Sequence, residues 1–583
     1  MPSLLTGIPA SPGIVVGAVH LLRWEVPEVP MRVIGEDEVT REIARVHDAF
    51  TRAVERLKQV RERAARHAGP GEAAIFDVQI SIIEDAELRG RVESVVHQNF
   101  SAERAFDVVM HEWREHFARS PHAMMRERVG DLLDVHIRVL SILMGLPDYD
   151  LVDVSKGANA ILVTHDLTPS LTVQIDRECV GGIATDAGTR TSHVAILARS
   201  VGLPAVVGLL DVTSRLETGD QAILDGTAGT LIARPTAAEL AAAATRTQRE
   251  RRQGELLARV AREESVTADG VRIVLRANVD LPDEARAAAT SGAEGVGLMR
   301  TEFLVVGRAT MPDEEEQLEA YAGVVAAFAG HPVIIRTFDV GADKLPVGGY
   351  PHEPNPFLGW RAIRMCLDQP EIFKTQLRAL LRAAVGGDVR IMLPLVVTLD
   401  EVREARFLLA EAARELAARG VPHRADVPLG VMVETPAAAM TADALAKDVA
   451  FFSIGTNDLV QYTLAVDRGH AGLASRFTPL HPAVLRLIRR TLDVGLAHGL
   501  EVSVCGEMAS EPLTAFALIG LGIRNLSVAP RSVARVKQIV RGMHTSVAAA
   551  AAAEALEAGT AQAAEAALTA GLTAEGGLES LGA

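Results

Sequence analysis

From Val271 onward the chain repeats one pattern eight times, a short apolar run of strand length followed by a stretch with helical spacing. The runs are RIVLRANV, GVGLMRTEF, VIIRTFDV, VRIMLPLV, LGVMVET, FFSIGTND, EVSVCGEM and NLSVAP, with segments such as EVREARFLLAEAARELAARG between them. Eight strand-helix units within about 250 residues predict a (β/α)8 barrel of the TIM type. Few other arrangements bury eight such strands at that spacing.

The barrel occupies residues 266–545 of a 583-residue chain, too long for one hydrophobic core, so about two to four domains are expected. Residues 35–145 carry helical spacing almost without a break, as in VTREIARVHDAFTRAVERLKQVRERAARH, and predict an antiparallel helical bundle. Residues 148–235 alternate short apolar runs with turns, AILVTHDLTP, VGGIATDAG, PAVVG and DQAILDGTAGTLIARP, and predict a small α/β domain. The N-terminal stretch GIPASPGIVVGAVHLL is expected to pair with it. The organisation expected is therefore an α/β domain from 1–22 and 148–235, a helical insertion at 23–147, a charged linker helix at 236–265, the barrel, and an Ala-rich helical tail at 546–583 that lacks large apolar residues and is expected to fray.

Apolar residues make up 48% of the chain, yet no run approaches the roughly 20 residues of a membrane span. The first residues, MPSLLTGIPASPG, break at once into Pro and Gly, unlike a secretory leader. A cytoplasmic protein, not embedded in a membrane, is expected. Cys179, Cys366 and Cys505 are too scattered for a disulfide framework or a metal knuckle. The net charge of −16 argues against a nucleic-acid surface and is compatible with a basic protein partner.

Barrel chemistry sits where the strands end. There the sequence places Arg300, Arg336 with Asp339, Glu434, Asn457 with Asp458, and Cys505 with Glu507; Arg468 follows in the next loop, and Lys344 could reach in from the third strand. Arginine forks suit phosphate or carboxylate oxygens, and paired carboxylates suit a hard Mg²⁺. The pattern implies a small polyanion held with magnesium; an internal lattice of ion pairs is the alternative. Cys505 is either a protonated thiol that donates a proton or an inert buried thiol.

In GTRTSHVAIL, Thr191 or Ser192 is suited to cap a helix with His193 in its first turn. There the helix dipole keeps imidazole neutral and nucleophilic, and free backbone N–H groups favour an attached phosphate. No second metal-binding side chain stands at helical spacing, which speaks against a metal site. A phosphorylatable histidine and a packed structural one both fit.

Nearly the whole chain, through GIPASPGI, IFDVQISIIEDAEL, DLTPS, GTRTSHVAILAR, GLMRTEFL, RTFDVGADK, NPFLGWRAIR, MVETP, GTNDLVQYTLAVDRGH, HPAVLRLI and VCGEMAS, resembles the enzyme I family of the bacterial phosphoenolpyruvate-dependent sugar phosphotransferase system. The resemblance implies that His193 takes the phosphoryl group of phosphoenolpyruvate and passes it to a histidine of the carrier HPr, releasing pyruvate. It implies Arg300, Arg336 and Arg468 on the phosphate and carboxylate, Asn457 as a hydrogen-bond donor, Glu434 and Asp458 on Mg²⁺, and Cys505 as the proton donor to the enolate. Thr172 aligns with a threonine that contacts the active histidine. The insertion would be the HPr surface, with Glu84, Asp85 and Glu87 beside Ile82 and Ile83, and the family suggests a homodimer through the barrel. His193 must visit both barrel and bundle, which demands a swivel about 148–150 and 235–265. Two departures stand out: Thr189 replaces a family glycine, where a positive φ would be strained, and His470 stands where Asn is common. The competing readings are an ATP-coupled dikinase or synthase, for which no nucleotide loop is visible, and a non-catalytic or nitrogen-branch regulator that binds an HPr-like protein.

Overall fold

The computed structural model describes residues 3–22, 24, 26–67, 75–120, 125, 128–146, 159–167, 171, 175, 179–189, 192, 194–195, 198, 202–282, 284–305, 308, 310–341, 353, 355–468 and 470–576. They fall into two compact units, Met1–Arg252 and Gln253–Ala583.

The first unit is built on a sheet of eight strands: β1 Ser3–Thr6, β2 Ile8–Ser11, β3 Ile14–Leu22, β4 Ala160–Thr164, β5 Val180–Thr185, β6 Ala205–Val207, β7 Gln221–Asp225 and β8 Thr230–Ala233, in the order β1-β8-β7-β3-β4-β5-β6-β2. The N-terminal stretch does pair across the gap. β3 runs parallel to β4, with Val19 opposite Ile161 and Leu22 opposite Thr164, and antiparallel to β7. The helices Val39–His67, Ile75–Glu84, Ala86–Val96, Ala102–Ala118 and Val129–Leu143 are therefore inserted between neighbouring strands. Their apolar stripes meet in a core containing Phe50, Phe76, Phe106, Ile83 and Val92. The helix Ala237–Val260 is less bare of apolar contact than its composition suggests: Leu240 and Ala243 pack on Ile14 and Ile223 of the sheet.

The second unit is the barrel. Its strands, β9 Val274–Val279, β10 Val296–Met299, β11 Val333–Arg336, β12 Val389–Leu393, β13 Leu429–Val433, β14 Phe451–Ile454, β15 Glu501–Val504 and β16 Asn525–Val528, close all-parallel, with β16 pairing back onto β9. Each of the eight apolar runs carries one strand. Inside lies a layer of Leu298, Ile334, Met392, Met432, Phe451 and Cys505. Nearer the N-terminal mouth, Glu501 joins Arg276 (2.5 Å) and Arg390 (3.1 Å) in an ion-pair layer.

The tail corrects an expectation. Thr545–Glu557 and Ala561–Ala574 form a hairpin on the barrel helix Pro512–Gly520, burying Ala548, Ala552, Ala555, Leu568 and Leu572. Small residues bring the helix backbones close, Leu568 and Leu572 add larger apolar side chains, and Arg486 donates to the carbonyl of Leu556 at 2.7 Å.

Candidate active site

At the C-terminal mouth of the barrel a cavity of about 360 Å³ is lined by Arg300, Arg336, Asp339, Glu434, Asn457, Asp458, Arg468, Cys505 and Glu507, all expected from the strand ends. The parallel barrel makes this convergence. Side chains leaving the ends of β10, β11, β13, β14 and β15 have one common mouth to face.

The charges hold one another around the cavity. Arg336 donates from Nη2 to Glu302 Oε1 (2.7 Å), and its Nη1 lies 3.0 Å from Asp339 Oδ2. Arg361 grips Asp339 through Nε (2.9 Å) and Nη2 (2.7 Å) and reaches Asp458 Oδ2 at 3.2 Å. Arg468 Nη1 is 3.1 Å from Asp458 Oδ1, and Arg300 donates to Asp280 at 2.7 Å. Arg361 and Arg468 both lie over the Phe357 ring, at 5.6 and 5.7 Å. An ion-pair lattice is thus present, as the alternative reading held, but it leaves a cavity open at its centre. Among the described residues, the buried Arg336 Nε and Asp458 Oδ1 have no hydrogen-bond partner.

The electrostatics set buried guanidinium groups against buried carboxylates. Burial alone would raise the Asp339 carboxyl, but Arg336 and Arg361 outweigh it and hold Asp339 below the usual range. Glu434 accepts the Leu395 backbone N–H (2.6 Å). Burial, then the carboxylates of Asp458 and Asp339, push it up to about 8 against the pull of Arg336. Burial pushes the Cys505 thiol up to about 11, Glu434 adding to this and Ser453, Arg336 and Arg300 opposing it. The thiol is therefore protonated at neutral pH while it lines the cavity. Buried and poised to donate are compatible here.

Gly506, next to Cys505, cannot be larger: a Cβ there would sit 1.8 Å from Thr456 Oγ1 and 2.8 Å from its backbone N. Asn457 is fixed reciprocally by Glu507, donating to Oε1 and accepting from its backbone N–H, each at 3.2 Å. No group of three or more His, Cys, Asp or Glu suited to a metal occurs among the described residues.

His193, Thr172 and Lys344 lie outside the described residues. Their neighbours are informative all the same. Ser192 Oγ accepts from the backbone N–H of Ala195 (3.4 Å). Thr189 does not take a positive φ; the left-handed residue is Gly188, at φ 114°, so the substitution at 189 brings no such strain. His470 is exposed in the turn after Arg468.

On the bundle, Glu84 and Glu87 are exposed, whereas Asp85 is occupied as a helix cap, accepting from the N–H groups of Glu87 (2.7 Å) and Leu88 (3.1 Å). Ile83 is buried in the bundle core and offers nothing to a partner; Ile82 is half-buried. Sequence reasoning overlooked Arg361 and Glu302. Both lie inside motifs quoted above, WRAIR and MRTEF, but beyond the strand ends where site residues were sought.

The profiles of three families match in order: the N-terminal domain of PEP-utilising enzymes at residues 6–128, their mobile domain at 157–229 and their PEP-binding domain at 255–545. A phosphoenolpyruvate-protein phosphotransferase of Bacillus sp. (strain S) is 41% identical over 541 residues, covering 92% of this chain and 93% of its own. The enzyme of that name from Geobacillus stearothermophilus is 40% identical over 95% and 96%, and that from Haemophilus influenzae 39% identical over 95% and 96%. With its barrel closed around an arginine- and carboxylate-lined mouth, the chain belongs to the phosphoenolpyruvate-protein phosphotransferase family.

Proposed function

We propose that this enzyme moves the phosphoryl group of phosphoenolpyruvate to His193 and then to a histidine of HPr, releasing pyruvate, as the first step of sugar phosphotransfer. The single observation that carries the reading is the cavity in which Arg300, Arg336 and Arg468 meet Glu434, Asp458 and Cys505 without a nucleophile of their own. His193 belongs to the first compact unit and the cavity to the second. The nucleophile is thus delivered to the substrate.

Arg336 and Arg468 bind the anionic groups of phosphoenolpyruvate, and the carboxylates behind them keep each fork aimed before substrate arrives. Lys344 adds a further cation. Asn457 donates from its remaining Nδ2 hydrogen. Positioning and charge stabilisation do most of the work in phosphoryl transfer. His193 Nε2 or Nδ1 attacks phosphorus, the P–O bond breaks, and enolpyruvate remains. Cys505 then donates its proton to the methylene carbon, leaving a thiolate that recovers a proton from solvent. Thr172 modulates the histidine.

Asp458, whose Oδ1 lies 3.1 Å from Arg468 Nη1 without a well-formed hydrogen bond, and a Glu434 driven toward its neutral form by burial and neighbouring carboxylates, fit a hard divalent cation such as Mg²⁺. Bound there, it would neutralise charge on the phosphoryl and enolate oxygens. HPr, a basic partner by this reading, docks on the helical insertion at Glu84 and Glu87. A swivel of the unit carrying His193 and a homodimer through the barrel complete the proposal. No helix of the described residues is long and apolar enough to cross a membrane, and a cytoplasmic location agrees with that. Pyruvate formation, followed with a coupled dehydrogenase, tests the reading. Multiple-turnover pyruvate formation should require phosphoenolpyruvate, HPr and Mg²⁺ together, with at most one equivalent per enzyme released in the absence of HPr; HPr binding with no pyruvate release would favour a non-catalytic regulator.

A further inference from the structure

Cys505 is the first residue past the end of β15, where the strand ladder has stopped. β15 and β16 are paired only at Ser503 with Asn525 and Val504 with Leu526, so the carbonyl of Cys505 has no partner in that ladder. Its backbone N–H is taken by the carbonyl of Ile454 on β14, at 3.1 Å. On the other side, Asn278 of β9 reaches past β16 and donates from Nδ2 to the Cys505 carbonyl at 3.2 Å. Ser527 of β16 donates to Asn278 Oδ1 at 2.6 Å. That second bond decides which way the amide faces: with Oδ1 occupied by a donor, Nδ2 must point at Cys505.

We propose that Asn278, oriented by Ser527, is a positioning residue for the proton-donor thiol. It fixes the Cys505 peptide from the far side of β16 and with it the direction of the side chain, whose Sγ lies 3.7 Å from the Ile454 carbonyl in a residue that lines the cavity. The Cys505 peptide is thereby tied to β14 through its N–H and to β9 through its C=O, and Gly506 continues the chain where no Cβ fits. Among the described residues, the side-chain hydrogen bonds of Asn278 are to Cys505 and Ser527. The inference rests on the reading of Cys505 as the donor. In the step concerned the Cys505 S–H bond breaks, a C–H bond forms at the methylene carbon of enolpyruvate using its C=C electron pair, and the thiolate is left to be reprotonated by solvent. A thiol held on one side protonates one face of that double bond.

The test is the stereochemistry of the pyruvate methyl group, read on the full-length enzyme turning over stereospecifically tritiated phosphoenolpyruvate in D₂O with HPr and Mg²⁺. Wild type should give one methyl configuration. Cys505→Ala, the control for the underlying reading, should give racemic methyl as solvent takes over; if it stays stereospecific, Cys505 is not the donor and the reading of the site fails. If that control racemises, Asn278→Ala and Asn278→Asp should each racemise a substantial share of product and slow pyruvate formation about tenfold, with KM for phosphoenolpyruvate within about twofold. Ser527→Ala should racemise less than either. Loss of folding alone lowers the active fraction without mixing configurations. Full stereospecificity in Asn278→Asp and Ser527→Ala, the variants that disturb packing least, overturns the positioning role whatever Asn278→Ala does.

Discussion

Arg361 bridges two buried carboxylates, Asp339 and Asp458, and Arg361→Met removes its charge while keeping most of its length. In the native site its guanidinium makes three contacts to Asp339 at 2.7–2.9 Å and a fourth to Asp458 at 3.2 Å. The three side chains are 9%, 4% and 5% exposed. Water cannot replace the lost donor on that scale, so the variant leaves buried anions under-compensated, which typically costs about 3–5 kcal/mol. At roughly 2 °C per kcal/mol for a unit of this size, Tm should fall by about 6–10 °C. The same change makes the Asp458 side of the cavity more negative. Divalent cation should therefore bind more tightly to Arg361→Met than to wild type, while phosphoenolpyruvate binds more weakly. Scanning calorimetry with and without Mg²⁺, and titration calorimetry with each ligand, separate these effects. A Tm loss under about 2 °C, or weaker cation binding, would refute the claim that Arg361 compensates both carboxylates.

Gly506→Ala should abolish most pyruvate formation, since its Cβ would overlap Thr456 and displace the Cys505 peptide, at about 1–3 kcal/mol of stability by denaturant titration. Glu434 has its folded-state value raised to about 8, so its contribution to stability is present below the ordinary carboxylate value and is lost as pH rises through about 8. The metal-free protein should accordingly melt lower at about pH 8.5 than at about pH 5.5, and Mg²⁺ should restore more at the higher pH, where no proton competes for the site. Because the Cys505 thiol sits near 11, iodoacetamide should label it far more slowly at neutral pH than an ordinary exposed cysteine, as mass spectrometry of the labelled peptide would register. Leu568→Ala should destabilise the protein by about 2–5 kcal/mol if the tail hairpin is core, against almost nothing for a frayed tail.

The eight barrel strands were legible because each is a short apolar run between helical stretches, and the polar residues at their ends were legible as a consequence. Arg336 and Glu434 could be placed at one mouth without coordinates because parallel topology leaves them no other. Arg361 was not legible in the same way: it lies in a long loop after β11, and nothing local says that its fork turns back onto Asp339. Asn278 was hidden for a related reason, since its partner Cys505 is a whole barrel away in sequence and adjacent only once β16 closes onto β9. The tail was misjudged because apolar size was taken as the measure of burial, whereas Gly520 and Gly571 let alanine helices approach to backbone distance. Ile83 was misjudged because its run IIED reads as an exposed helix end, while the cap at Asp85 turns the next helix and leaves Ile83 inside.

The proposed transfer requires His193 of the first compact unit to serve the cavity of the second. The direct measurement is transfer of label from [³²P]phosphoenolpyruvate in the presence of Mg²⁺, with the labelled peptide identified by mass spectrometry. Acid-labile phosphate should appear on His193, pass to added HPr, and be absent from His193→Ala. Acid-labile label acquired by His193→Ala, or label on His193 that HPr cannot remove, would contradict it.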